Sequence, residues 1–209
     1  MDVVYRPAVA GDAPALAQFI YLADQAPYRN SGYDLSLGGS KEHQLAEIEQ
    51  LVQAQARSWF HFSHFEVAEV AGRAVAGAAG FDRLATDAQI PAALREIGWS
   101  DETIESLHGR LTELYSSFPP EPSGYWTLDH VASLPGWRRG GLVRHVVWRS
   151  IERGRALGFR KFKLDVFRGN VAARRLYERL GFRLSETFGE EALRRLLGRD
   201  ALERLTLEL

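Results

Sequence analysis

The chain has 209 residues, with 26 Lys and Arg against 27 Asp and Glu and a net charge of −1. That balance gives no general pull toward nucleic acid or an anionic membrane, and neither is expected as a partner. Cysteine is absent, which excludes disulfides, thiolate metal sites and a cysteine nucleophile, while an apolar content of 45% is enough for a sizeable core.

The opening MDVVYRPAVAGD has no basic segment followed by an apolar run, so no secretory signal is expected. No stretch approaches the roughly 20 apolar residues that span a bilayer, and a cytoplasmic protein is expected. VVYRPA (3–8) reads as a short strand ended by Pro7. Asp12 can cap a helix whose Leu16, Phe19, Ile20 and Ala23 share one face. A Gly- and Ser-rich loop (26–40) follows, and Ser40 can cap a second helix with Leu45, Ile48, Leu51 and Val52.

FEVAEVAGRAVAGAAGF (65–81) reads as two strands joined at Ala71-Gly72-Arg73, the second small enough in its side chains to admit a close backbone or ligand. Residues 83–123 break the pattern with one or two helices and a Pro-rich turn. They are too short for a core of their own, so they read as a helical insertion before the fourth strand of a single domain spanning 1–209. YWTLDHVASL (125–134) is that strand, ended by Pro135.

GWRRGGLVRHVVW (136–148) then opens a helix to about Ala156, burying Leu142, Val143, Val146, Val147 and Ile151. FKLDVF (162–167) alternates as a strand, and Asn170 starts a short helix with Ala173, Leu176, Tyr177 and Leu180 on one face. A strand (181–188), a helix beginning at Glu190 and a last strand complete the chain. Such an order implies an α/β fold whose mixed sheet has parallel and antiparallel neighbours.

The stretch at 136–148 has the makings of an anion site. The first N–H groups of a helix lack intrahelical partners, and the dipole adds roughly half a positive charge there. Glycine lets an anion reach the backbone, and arginine offers forked donors to phosphate oxygens. A capped helix start with two solvated arginines would look the same in isolation, so the surroundings decide.

From Leu128 to Phe182 the sequence resembles the GNAT superfamily of acyl-CoA-dependent N-acyltransferases. Their phosphate-loop motif, Gln/Arg-x-x-Gly-x-Gly/Ala, is matched by Arg138 and Gly141, with Val143 standing where Gly or Ala is usual. NVAARRLYERLGF (170–182) is similar to the family's Asn-x-x-Ala-x-x-Leu-Tyr-x-x-x-Gly-Phe signature, with Asn170, Ala173, Leu176, Tyr177, Gly181 and Phe182 in place. YRPAVAGDA and VAEVAGRAVAG look like the family's opening strand and second hairpin. The resemblance implies a mixed, mostly antiparallel central sheet of about seven strands flanked by helices.

It also implies acetyl-CoA as co-substrate, bound by Leu134, Arg138, Arg139, Gly140, Gly141, Leu142, Val143, Asn170 and Ala173: the main-chain amides from Arg139 to Val143 face the diphosphate, Arg138 contacts the diphosphate or 3′-phosphate region, and Asn170 hydrogen-bonds the pantetheine arm or closes the groove against it. Tyr177 would protonate the departing thiolate, and a backbone N–H near Leu134 would meet the oxyanion. Amine activation in the family often falls to the strand before the phosphate loop. There, alternation puts Leu128, His130, Ala132 and Leu134 on one face and Asp129, Val131 and Ser133 on the other. His130, which titrates near neutral pH, is the first choice of base and Asp129 the second.

The loop between the first two helices often walls the acceptor side, which here offers Tyr28, Arg29 and Tyr33, while Trp99 and Tyr115 could cover the mouth. His61 and His64 have no acidic or third ligand beside them, so no metal is expected. The function implied is acetyl transfer to a primary amine of a small molecule or peptide by direct attack in a ternary complex, with a homodimer admitted. A catalytically silent acyl-CoA-binding sensory module on the same fold is the alternative. A P-loop and a dinucleotide fingerprint are both missing.

Overall fold

A computed structural model describes residues 2–138 and 140–209. The chain runs β1 (Val3–Pro7), α1 (Ala13–Gln25), α2 (Tyr33–Ser36), α3 (Lys41–Gln53), β2 (Phe65–Val70) and β3 (Arg73–Asp82). Three helices follow, α4 (Arg83–Asp87), α5 (Ile90–Glu96) and α6 (Asp101–Ser116), where the sequence indicates one or two. Then come β4 (Tyr125–Ser133), α7 (Leu142–Ala156), β5 (Lys161–Phe167), α8 (Val171–Arg179), β6 (Arg183–Phe188), α9 (Glu190–Leu197) and β7 (Leu202–Glu208).

The seven strands form one mixed sheet in the order β1-β2-β3-β4-β5-β7-β6, with β4 and β5 its parallel pair. The β2–β3 hairpin turns at Ala71 and Gly72, both at positive φ. Leu16, Phe19 and Ile20 of α1 and Ile48, Leu51 and Val52 of α3 fill the core on one face, together with Phe65 of β2 and Phe81 of β3. Val146, Val147 and Ile151 of α7 fill the other, against Leu128, Phe162 and Leu164. The small side chains of β3 serve this packing: a Cβ on Gly80 would collide with Trp126 and with Ser150 of α7.

Ser40 caps α3, its Oγ accepting from the His43 N–H at 3.3 Å. Asp12 precedes α1 without capping it through its side chain. Its carboxylate instead accepts from Arg6 at 2.7 and 2.9 Å and from the Val9 N–H at 2.9 Å, a stronger charged pairing than a cap offers.

Two departures from regular pairing shape the centre of the sheet. The β3–β4 register shifts between Gly77 and Ala79, and His130 opposite the shift takes φ 51°, a left-handed conformation. Such a bulge bends its strand and increases the local twist. On its other side β4 pairs with β5 only at Tyr125–Lys161, Trp126–Phe162 and Thr127–Lys163. Beyond Thr127, β4 keeps only β3 as a neighbour and β5 only β7, so a wedge opens between them. The divergence begins at Leu128, well before Pro135, and the bulge rather than the proline accompanies it.

Candidate active site

The wedge is bounded at its open end by the start of α7. A short 3-10 turn, Pro135–Trp137, leads to Arg138, which is exposed. Gly141 occupies the N-cap with φ 75°, and no side chain caps the helix. A Cβ on Gly141 would meet nothing within 4 Å, so the left-handed backbone is what calls for glycine here. The first turn of α7 therefore presents free N–H groups beside an exposed guanidinium. Arg139 lies outside the described residues. The side chains of Leu142 and Val143 pack against the core, and only their main chains remain to face an anion.

Leu134 does not fit the role expected of it. Its N–H donates to the Val75 carbonyl at 2.9 Å and its side chain is buried with the α1 and α3 core. A sheet bond thus uses the donor that would have met an oxyanion. Asn170 acts locally as the cap of α8, its Oδ1 accepting from the Ala173 N–H at 3.3 Å. Ala173 packs at the edge of the α7-side core.

The bulge overturns the expected alternation along β4. Leu128 packs in the α7-side core, whereas the His130 ring stacks on Trp59, Phe60 and Phe65 of the opposite one, at centroid distances of 5.5, 5.8 and 6.0 Å. His130 is only 4% exposed, and its Nε2 has no hydrogen-bond partner among the described residues. Burial lowers its pKa and the nearby Arg83 guanidinium adds to this, outweighing the opposing pull of the Asp129 carboxylate. The imidazole is therefore held neutral.

Asp129 sits in front of it, one-third exposed at its side chain. Its Oδ1 accepts from the His130 N–H at 2.7 Å and lies 3.6 Å from His130 Nδ1. Its Oδ2 lies 3.3 Å from Arg83 Nη1. Burial pushes this carboxyl up, but the His130 imidazole, Arg83, the His130 N–H and Lys163 together hold it below the usual carboxylate range, so it is ionised at neutral pH.

Tyr177 of α8 is buried, and burial, aided by the Asp129 charge, raises its phenol well above the ordinary value.

Of the loop residues, Tyr33 is buried against Tyr21 and Phe60, at 6.5 and 6.3 Å, and its phenol is raised by burial and then by Asp24 and Asp129. Tyr28 is engaged in holding the loop: its hydroxyl accepts from the Asp200 N–H at 2.8 Å and its ring meets Phe167 edge-on at 5.3 Å. Arg29 is exposed and its carbonyl accepts from the Gln25 side chain. Trp99 donates to Glu47 of α3 at 2.9 Å and packs on the core. Tyr115 is nearly half exposed, and its phenol feels Arg83, Asp87 and Asp129. Arg83 and Trp59 are the site residues that the sequence patterns miss. No group of three or more metal-ligating side chains gathers among the described residues.

An open α/β sheet with a wedge between parallel strands and a glycine-started helix at its mouth is the frame of an acyl-group-transferring fold. The acetyltransferase (GNAT) family model matches residues 40–182, and the chain belongs to that family of acyl-CoA N-acyltransferases. Among solved structures, an N-acetyltransferase from Staphylococcus aureus Mu50 superposes with a TM-score of 0.73 at 17% identity, covering 98% of this chain and 100% of that one. The Drosophila melanogaster polyamine N acetyltransferase, an enzyme that forms N-acetylagmatine, gives 0.58 at 18% identity and covers 100% of both chains. The NatC complex bound to Gag peptide and CoA gives 0.57 at 14% identity, covering 100% of this chain and 99% of that one. No curated protein matches the sequence significantly.

Proposed function

We propose that this enzyme transfers an acetyl group from acetyl-CoA to a primary amine of a small molecule or peptide, by direct attack in a ternary complex. The observation that carries this reading is the wedge between β4 and β5, with the uncapped start of α7 at its mouth. The N–H groups of Leu142 and Val143 and the exposed Arg138 suit a diphosphate. The unpaired edge of β4 beyond Thr127 offers main-chain groups to an extended amide-bearing arm, as a neighbouring strand would. N–H groups alternate sides along a strand, and Leu134 donates to β3, so Ser133 is the donor for the thioester oxygen. Proteins of the same fold are named for a polyamine and described with a bound peptide and CoA, which agrees with an amine acceptor.

The acceptor arrives as an ammonium, and the ionised Asp129 holds it. The neutral His130 lies behind the carboxylate, its Nδ1 3.6 Å from Oδ1, and the pair takes up the ammonium proton. The amine nitrogen then attacks the thioester carbon. A C–N bond forms, the C–S bond breaks and the Tyr177 phenol gives its proton to sulfur, releasing the CoA thiol. Closing the amide releases the second nitrogen proton, which returns to Tyr177 through solvent, and the Asp129–His130 pair discharges the first to bulk water. A deeply raised phenol remains protonated until this moment, as an acid must.

The test is thiol release from acetyl-CoA with monoamines, diamines and peptide N-termini. Turnover with at least one amine is expected. CoA binding without turnover across all of them would make the protein a silent binding module, and no binding at all would remove the diphosphate site.

A further inference from the structure

Arg83 is the first residue of α4, in the segment between β3 and β4 that the family pattern leaves without a role. Its guanidinium lies 4.0 Å over the Trp59 ring. Its Nε is 2.8 Å from Asp87 Oδ1 and its Nη1 3.3 Å from Asp129 Oδ2. Trp59 in turn stacks on His130. A planar fork fixed on one edge by Asp87 and on its face by an indole cannot swing away, so it fixes where the Asp129 carboxylate stands. It is also the positive charge that faces both Asp129 and His130 at the bulge.

We propose that Arg83 is a positioning residue of the Asp129–His130 pair: it aims the Asp129 carboxylate at the acceptor and keeps the neighbouring imidazole in its neutral, proton-accepting form. This rests on the reading of that pair as the amine-activating group. The other groups facing the pair are Asp24 from α1, Tyr33 from α2, Asp87 from α4, Tyr115 from α6, Lys163 from β5 and Tyr177 from α8. Asp129 and Asp24 make protonation of His130 easier, and Arg83 opposes it. Among the charges on the segments between β3 and β4, Arg83 alone is cationic and touches the pair. α4 itself packs on β3 and β4, the strands of the bulge.

The experiment compares Arg83→Gln, Arg83→Lys and Asp129→Asn in the full chain. It measures kcat/KM for the best amine against pH, the CoA dissociation constant by calorimetry, and the His130 titration by NMR on histidine-labelled protein, assigned with His130→Gln. Arg83→Gln should lower kcat/KM for the amine by about tenfold or more while CoA affinity stays within about twofold. The His130 titration and the acid limb of the rate profile should both move to higher pH. Arg83→Lys keeps the charge and loses the fork, so the titration should return toward its original place while kcat/KM stays reduced. An Arg83→Gln protein with unmoved His130 titration and acid limb overturns the proposal, as does full activity in Arg83→Lys. If Arg83→Gln does not fold, Arg83→Lys decides alone by its rate. Full activity in Asp129→Asn would refute the reading of the pair itself, whatever Arg83 does.

Discussion

At the scale of single residues, the site works through two opposite displacements in acidity, both begun by burial. A phenol out of water resists losing its proton, and the Asp129 charge stiffens that resistance, so Tyr177 stays an acid through the whole pH range in which proteins remain folded. An imidazole out of water resists gaining one, so His130 stays neutral. In the proposed reaction, acid and base are thus set apart by environment. Tyr177→Phe removes the proton and leaves the ring, which meets Phe182 edge-on at 6.1 Å. Turnover should fall by about 10²-fold or more, the usual worth of a positioned acid, with CoA affinity nearly unchanged. Stopped-flow thiol release and calorimetry together check this, and a variant with wild-type turnover would strip Tyr177 of the role.

At the scale of elements, helix-to-sheet spacing is set by where side chains are missing. A Cβ on Gly154 of α7 would come within 2.7 and 2.8 Å of Trp126 and 2.9 Å of Phe162, neighbours on β4 and β5 at the root of the wedge. Gly154→Ala should therefore destabilise by about 1–3 kcal/mol through overpacking. Gly109 of α6 is exposed with nothing within 4 Å of its Cβ position, and Gly109→Ala should stabilise by about 0.5–1 kcal/mol through helix propensity. Urea unfolding of both variants checks the contrast, and equal effects would show that close packing on Trp126 does not govern this helix.

The same scale separates what could be read from the sequence. Strand and helix order was legible because periodicity is local, and so was the Asn170–Phe182 block, whose matched residues lie within two helical turns and a strand start. The bulge was not, because a register shift belongs to two strands at once and His130 carries none of the usual marks of a positive φ. Arg83 was not, because its partner Asp129 lies 46 residues away and an Arg–Asp pair at i, i+4 in α4 looks like an ordinary surface helix. Which N–H near Leu134 is free was not legible either, because which edge of a strand is free depends on its neighbour, and Leu134's own N–H faces β3.

At the scale of the molecule, three histidines are folded into places that favour the neutral form, which makes stability a function of pH. Burial pushes His64 down to about 4, and it also lowers His61 and His130. In the unfolded chain each titrates near 6.5, so below that value the unfolded state binds more protons than the folded one and stability falls with pH. The stabilisation is complete above the unfolded value and is lost as pH drops from about 6.5 toward 4. For His64 alone the loss between pH 7 and pH 5 is on the order of 2 kcal/mol.

The carboxylates act in a separate window. Asp12 and Asp129 have folded pKa values below the ordinary carboxylate range, so their contribution persists until the pH falls through that range. A melting temperature level above pH 7 should therefore decline between pH 6.5 and 4.5, before the carboxylates begin to titrate. His64→Gln, which cannot titrate, should flatten part of that decline. Calorimetric melting across this range checks it. A melting temperature unchanged from pH 7 to pH 5 would mean that these imidazoles reach water far more readily than their packing against Phe62, Phe81 and Trp59 implies. The same packing holds His130 neutral behind Asp129, so such a result would also weaken the case for it as the base.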